Sequence, residues 1–83
     1  MSSLEERLTR CFLLALPELR ETGVSQASTA TVAAWESLTT VNLLSLVEEE
    51  FNIAIPAEDI EEFVSFERVL NVVRRHCDAA GDR

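Results

Sequence analysis

Leu4, Leu8, Cys11, Phe12 and Ala15 recur at i, i+4, i+7, i+8 and i+11, the spacing of one helical face. Ser3-Leu4-Glu5-Glu6 at the start of this run has the form of a capping box, with Ser3 at the cap and Glu6 reaching back. Pro17 closes it, because the residue before a proline is pushed out of the α region. The pattern predicts helix I over about residues 4–16, amphipathic, with Arg7 and Arg10 outward. From Pro17 to Glu36 no period is sustained, and Gly23, Ser25, Ser28, Thr29 and Thr31 mark a loop. A short helical turn near Leu19 is compatible with it. So long a connection is unusual in a compact domain, and Val24, Val32 and Trp35 are the residues that pin it by packing on the helices.

Helix II follows over about residues 37–51. At about 100° per residue, Thr40, Leu43, Leu44, Val47 and Phe51 share the core-facing sector and Leu46 lies at its edge. Leu38, Val41, Asn42, Ser45, Glu48 and Glu49 fall on the opposite side. An apolar centre rimmed by charge is the layout of a contact surface.

Ile53-Ala54-Ile55-Pro56 reads as short and extended, with both isoleucines on one side. Pro56 suits the start of a helix, and Glu58 and Asp59 favour its positive end. This gives a brief helix III over about residues 57–62, with Ile60 and Phe63 turned to the core. Ser65 caps a final helix, in which Phe66, Val69, Leu70 and Val73 repeat at helical spacing. Helix IV spans about residues 66–77, with Arg74, Arg75 and His76 near its negative end and Gly81 beyond its stop. The expected fold is all-α: one domain over residues 1–83, a small four-helix bundle of three longer helices and one short one, with a long loop between helices I and II.

Composition narrows what such a bundle can do. A chain of 83 residues is small, and buries only roughly 60–65% of its unfolded surface, leaving little room for a deep substrate pocket. No run is apolar enough for a membrane span. The acidic N-terminus, Met1-Ser2-Ser3-Leu4-Glu5-Glu6, has no targeting character, so a cytoplasmic location is expected. The formal net charge is -8, with 15 acidic residues, seven arginines and no lysine. That excludes the basic stripe of a nucleic-acid binder and favours basic protein partners. From Glu36 to Glu67 there are nine acidic residues and no basic one.

Candidate chemistry is sparse. Cys11 and Cys77 make no disulfide framework; each sits among apolar helical residues, where a free thiol behaves as a small hydrophobe. Cys11, Cys77 and the lone His76 are too few for zinc, and no metal is expected. Glu48-Glu49-Glu50 reads as a solvated charge run. No base and orienting acid accompany any serine, so a catalytic residue is not expected. Ser37 stands out by position. It reads as a cap of helix II, and a helix N-terminus also favours an attached phosphate.

Glu36-Ser37-Leu38-Thr39-Thr40-Val41, then Leu43, Glu48-Glu49-Glu50-Phe51, Ile53 and Ile55-Pro56, resembles the acyl carrier protein family. That family's pattern is an acidic residue, Ser and Leu, then a helix closing on Glu-Glu-Glu-Phe and an Ile-Pro. The likeness covers about residues 35–73. It implies a 4′-phosphopantetheine arm, transferred from coenzyme A to Ser37, whose thiol carries acyl or aminoacyl groups as thioesters. It also implies that the chain itself catalyses nothing. Its partners would be a phosphopantetheinyl transferase, a loading ligase or transferase, and condensing or acyl-transfer enzymes, met by a monomeric carrier. On matching positions, Glu36, Leu38, Val41, Glu48 and Glu49 would contact those partners, and Phe63, Ile55 and Leu46 would lie near any pocket for cargo. Four features depart from the pattern: Glu36 replaces the usual Asp, Ala33-Ala34-Trp35 replaces an upstream glycine, and Asn42 and Ser45 replace a carboxylate and a bulky apolar residue. Trp35 before the acidic residue resembles stand-alone carriers of specialised pathways, polyketide, nonribosomal peptide or related, more than the housekeeping fatty-acid type, and Asn42 and Ser45 alter the docking face, which implies partners other than the standard fatty-acid enzymes. The alternative is an interaction module with the carrier fold and no arm.

Overall fold

A computed structural model describes residues 3–79 of the chain. The fold is all-α: helix α1 (Leu4–Ala15), a 3₁₀ helix (Glu21–Gln26), α2 (Ser37–Phe51), the single-turn α3 (Ala57–Ile60) and α4 (Phe66–Ala79). Gly81 and the chain end at Arg83 lie outside the described residues. Among the described residues no helix is long and apolar enough to cross a membrane.

The capping box of α1 forms in full: Ser3 Oγ accepts from the Glu6 N–H at 3.1 Å and Glu6 Oε1 from the Ser3 N–H at 3.2 Å. Leu8, Cys11 and Phe12 form its buried face. Leu16 leaves helical geometry before Pro17, with φ −129° and ψ 75°. Arg7 does not point outward as the pattern suggests. Its Nε donates to Glu50 Oε2 at 2.8 Å, another guanidinium nitrogen donates to the Glu50 carbonyl at 2.6 Å, and the guanidinium carbon lies 4.6 Å from the centre of the Phe51 ring. The cation thereby sits at the negative end of α2 and staples α1 to it.

Phe12 is the hub of the core. Its ring meets Trp35 edge-on at 5.3 Å and Phe66 at 5.0 Å. One side chain thus gathers α1, the approach to α2 and the start of α4. Leu43, Val47, Val69, Val72 and Val73 are fully buried around it. No buried side-chain polar atom among the described residues lacks a hydrogen bond.

The long connection is more ordered than its composition suggests. A single turn closes at Leu19, whose N–H donates to the Leu16 carbonyl at 3.0 Å, and a 3₁₀ helix that no pattern predicts follows at Glu21–Gln26, burying Val24. Beyond it the backbone pairs with the entry of α4. Thr29 N–H donates to the Val64 carbonyl at 2.9 Å and Phe66 N–H to the Ala27 carbonyl at 3.0 Å, around an antiparallel bridge between Ser28 and Ser65. These pairings satisfy backbone groups that a loop would otherwise leave to water. They are fixed by tertiary packing, which hydrophobic periodicity does not report.

α2 ends at Asn52 in the left-handed region, φ 55°, a conformation asparagine tolerates better than most residues. α3 is shorter than expected, stopping at Ile60, and is followed by turns to Val64. It buries no residue of its own; Phe63, 2% exposed, is what roots this segment. Asp59 adds a clamp, facing His76 Nε2 at 2.8 Å and Arg75 at 3.4 Å on α4. Ser65 caps α4, its Oγ accepting from the Arg68 N–H at 3.2 Å.

Candidate functional site around Ser37

Trp35 is buried, while Glu36, Ser37 and Leu38 immediately after it are exposed. The chain surfaces here because two threonines of the first turn of α2 reach back. Thr39 Oγ1 donates to the Ala34 carbonyl at 2.8 Å, and Thr40 Oγ1 accepts from the Trp35 indole N–H at 3.0 Å. The segment is held on one side by an aromatic anchor and on the other by these bonds.

Ser37 is not the cap. Glu36 occupies that position with extended backbone, φ −119°, and its side chain makes no capping bond. Ser37 is the first helical residue. Among the described residues its hydroxyl has no hydrogen-bond partner. The first N–H groups of a helix lack intrahelical acceptors, and no side chain among the described residues covers them here. The site therefore offers an accessible hydroxyl, uncommitted N–H groups and the positive end of a fifteen-residue helix.

A cleft of about 490 Å³ opens beside Ser37. Trp35 and Phe63 lie in its lining, with Thr40 and Val41 from α2, Ile60 and Val64 from the segment after it, and Thr29 beside Val64. Ile60, expected in the core, is instead half-buried in this wall. Ile55 and Leu46 do not line the cleft. Ile55 is buried in the core, and Leu46 lines a separate groove with Cys11, Leu14 and Glu49. That groove follows from Cys11 packing on α2, its thiol pointing to the Leu46 carbonyl at 3.7 Å.

Three exposed apolar side chains surround the cleft or stand next to it: Leu38 (69%), Val41 (57%) and Val64 (37%). Leu38 and Val41 were legible from the helical wheel. Val64 was not, since it lies in a turn without a period. The acidic surface is redistributed too. Of the acids between Glu36 and Glu67, Glu50 and Glu62 are engaged by Arg7 and Arg68, and Asp59 by α4. Glu48, expected to face outward, is half-buried, and its Oε2 accepts from the Ile55 N–H at 2.8 Å. Glu36, Glu49 and Glu61 are exposed and make no ion pair among the described residues. Two of these, Glu36 and Glu61, lie on the cleft.

The thiol of Cys11 is buried and pushed up from its ordinary 9.0 to about 11, first by desolvation and then by Glu50. Such a thiol is a packing group, not a nucleophile. Among the described residues no cluster of His, Cys, Asp and Glu could hold a metal ion. His76 pairs with Asp59 and does not contact Ser37. No protein-family model matches the chain.

Proposed function

We propose that the chain is a carrier protein, a four-helix bundle that bears 4′-phosphopantetheine on Ser37 and presents acyl or aminoacyl thioesters to partner enzymes. The observation that carries this reading is the state of Ser37: exposed, without a hydrogen-bond partner, and on a segment fixed by Trp35, Thr39 and Thr40. A serine serving only the helix would be the cap and would spend its hydroxyl on the first turn. The residues present suit a phosphodiester, since free N–H groups and the helix dipole favour the anion. When bound, the group supplies a thiol that holds cargo as a thioester. The protein's part is to hold the attachment atom in the open and to offer Leu38, Val41 and Val64 as an apolar contact, with Glu36, Glu49 and Glu61 for a basic partner.

Intact mass after incubation with coenzyme A and a broad phosphopantetheinyl transferase tests the reading. A mass gain of one arm is expected, and its loss in Ser37→Ala. No gain with several transferases, or an undiminished gain in the variant, sinks it. The same exposed apolar patch favours one second reading, a protein-interaction module without the arm. That reading predicts partners captured equally by wild type and Ser37→Ala.

A further inference from the structure

We infer that the cleft beside Ser37 selects a short cargo bearing a free ammonium, an aminoacyl rather than an acidic or long-chain acyl group. The inference rests on the carrier reading and narrows it.

Length is limited by what lies beneath the cleft. Trp35 and Phe63 are 3% and 2% exposed, and Trp35 is backed by its edge-on contact with Phe12. A long chain entering from Ser37 would have to displace these rings, and the interior they close is packed at a density where added methylenes strain the core. A group of a few atoms can instead rest on Val41 and Val64 at the surface.

Charge is set by the walls. The ionisable side chains lining the cleft are Glu36 and Glu61. Both are exposed and neither is neutralised by an ion pair among the described residues. Among the described residues the cleft has no arginine in its lining. With the positive end of α2 facing the phosphodiester of the arm, a cargo carboxylate would meet two like charges and no cationic side chain, whereas an α-ammonium meets two opposite charges. The apolar and acidic elements thus match the two ends of a small aminoacyl group, with its side chain against valine and its amine toward carboxylate.

The test uses three cargoes that differ in one substituent: alanyl, isobutyryl and methylmalonyl, which carry ammonium, methyl and carboxylate on the same carbon. Amide-linked analogues of their coenzyme A esters keep the cargo in place once the transferase has loaded the protein. Backbone amide shifts at Thr29, Thr40, Val41, Phe63 and Val64 are read against protein bearing the arm alone. For alanyl the changes are expected to be about two-fold those for isobutyryl, a size suited to screened surface charges. They should shrink in high salt, and methylmalonyl should give the least. Glu61→Gln should bring alanyl toward the isobutyryl response. Equal responses to alanyl and isobutyryl, or a largest response to methylmalonyl, overturn the cargo assignment while the mass gain leaves the carrier reading standing. A chain that takes no arm overturns both.

Discussion

The Glu48 carboxylate accepts a hydrogen bond from the backbone N–H of Ile55 at 2.8 Å, tying the last turns of α2 to the extended segment that leads into α3. A charged acceptor on a partly buried N–H is among the stronger hydrogen bonds. Glu48→Ala should therefore cost about 1–2 kcal/mol, whereas Glu49→Ala should stay within about 0.5 kcal/mol. Urea denaturation of the two variants measures the difference. Equal stabilities would contradict the geometry. In partner binding the order should reverse, with the exposed Glu49 mattering more.

Phe12→Ala removes the ring that meets both Trp35 and Phe66. A loss of about 3–5 kcal/mol is expected, a large share of the stability of a small domain. Trp35 is the sole tryptophan, so its fluorescence reports the change directly. Phe12→Leu, which keeps volume in the hub, should lose less and retain most of the native emission.

The raised pKa of Cys11 makes stability depend on alkaline pH. In the unfolded chain the thiol ionises near 9.0, and in the folded one near 11. Below the first value both states are protonated and the contribution is complete. As pH rises between the two, the unfolded state loses its proton first, and stability falls. Cys11→Ala should flatten that part of the pH profile, measured by denaturant midpoints from about pH 8 to 11. Native Cys11 should also resist alkylation near neutral pH.

Asp59 joins α3 to α4 through His76 and Arg75. Asp59→Asn should loosen α3 locally without unfolding the core, because α3 buries none of its own side chains. Faster amide exchange through Glu62, Phe63 and Val64 is expected, with protection in α1 and α4 unchanged. Uniform acceleration across the chain would show that the clamp supports the whole fold.

Much of this architecture was visible in the order of residues. Three helices announce themselves by a repeated apolar stripe, and the signals at Ser3, Pro17 and Ser65 act within a few residues of their own position. What the pattern missed depends on contacts across the chain. Thr39 and Thr40 look like ordinary helix residues until Ala34 and Trp35 fold against them. Glu48 looks solvated until Ile55 returns to it, and Arg7 looks outward until α2 lies alongside. Of the site, Leu38 and Val41 were readable from the helical wheel, and Ser37 from its place at the start of the helix. The cleft was not, because its walls come from three separate stretches. Leu46 and Ile55 were expected beside it and belong elsewhere, one to the groove facing α1 and one to the core.

The bond from Thr29 N–H to the Val64 carbonyl, 2.9 Å long, joins two residues that line the cleft. The junction between these two lining residues is thus held by main-chain atoms, which no substitution short of proline removes. The side chains facing the cleft can be exchanged for others of similar size while this junction is kept. The polarity of the cleft can therefore be changed at Glu61, Val41 or Val64 while the main-chain link between two of the stretches that line it stays in place.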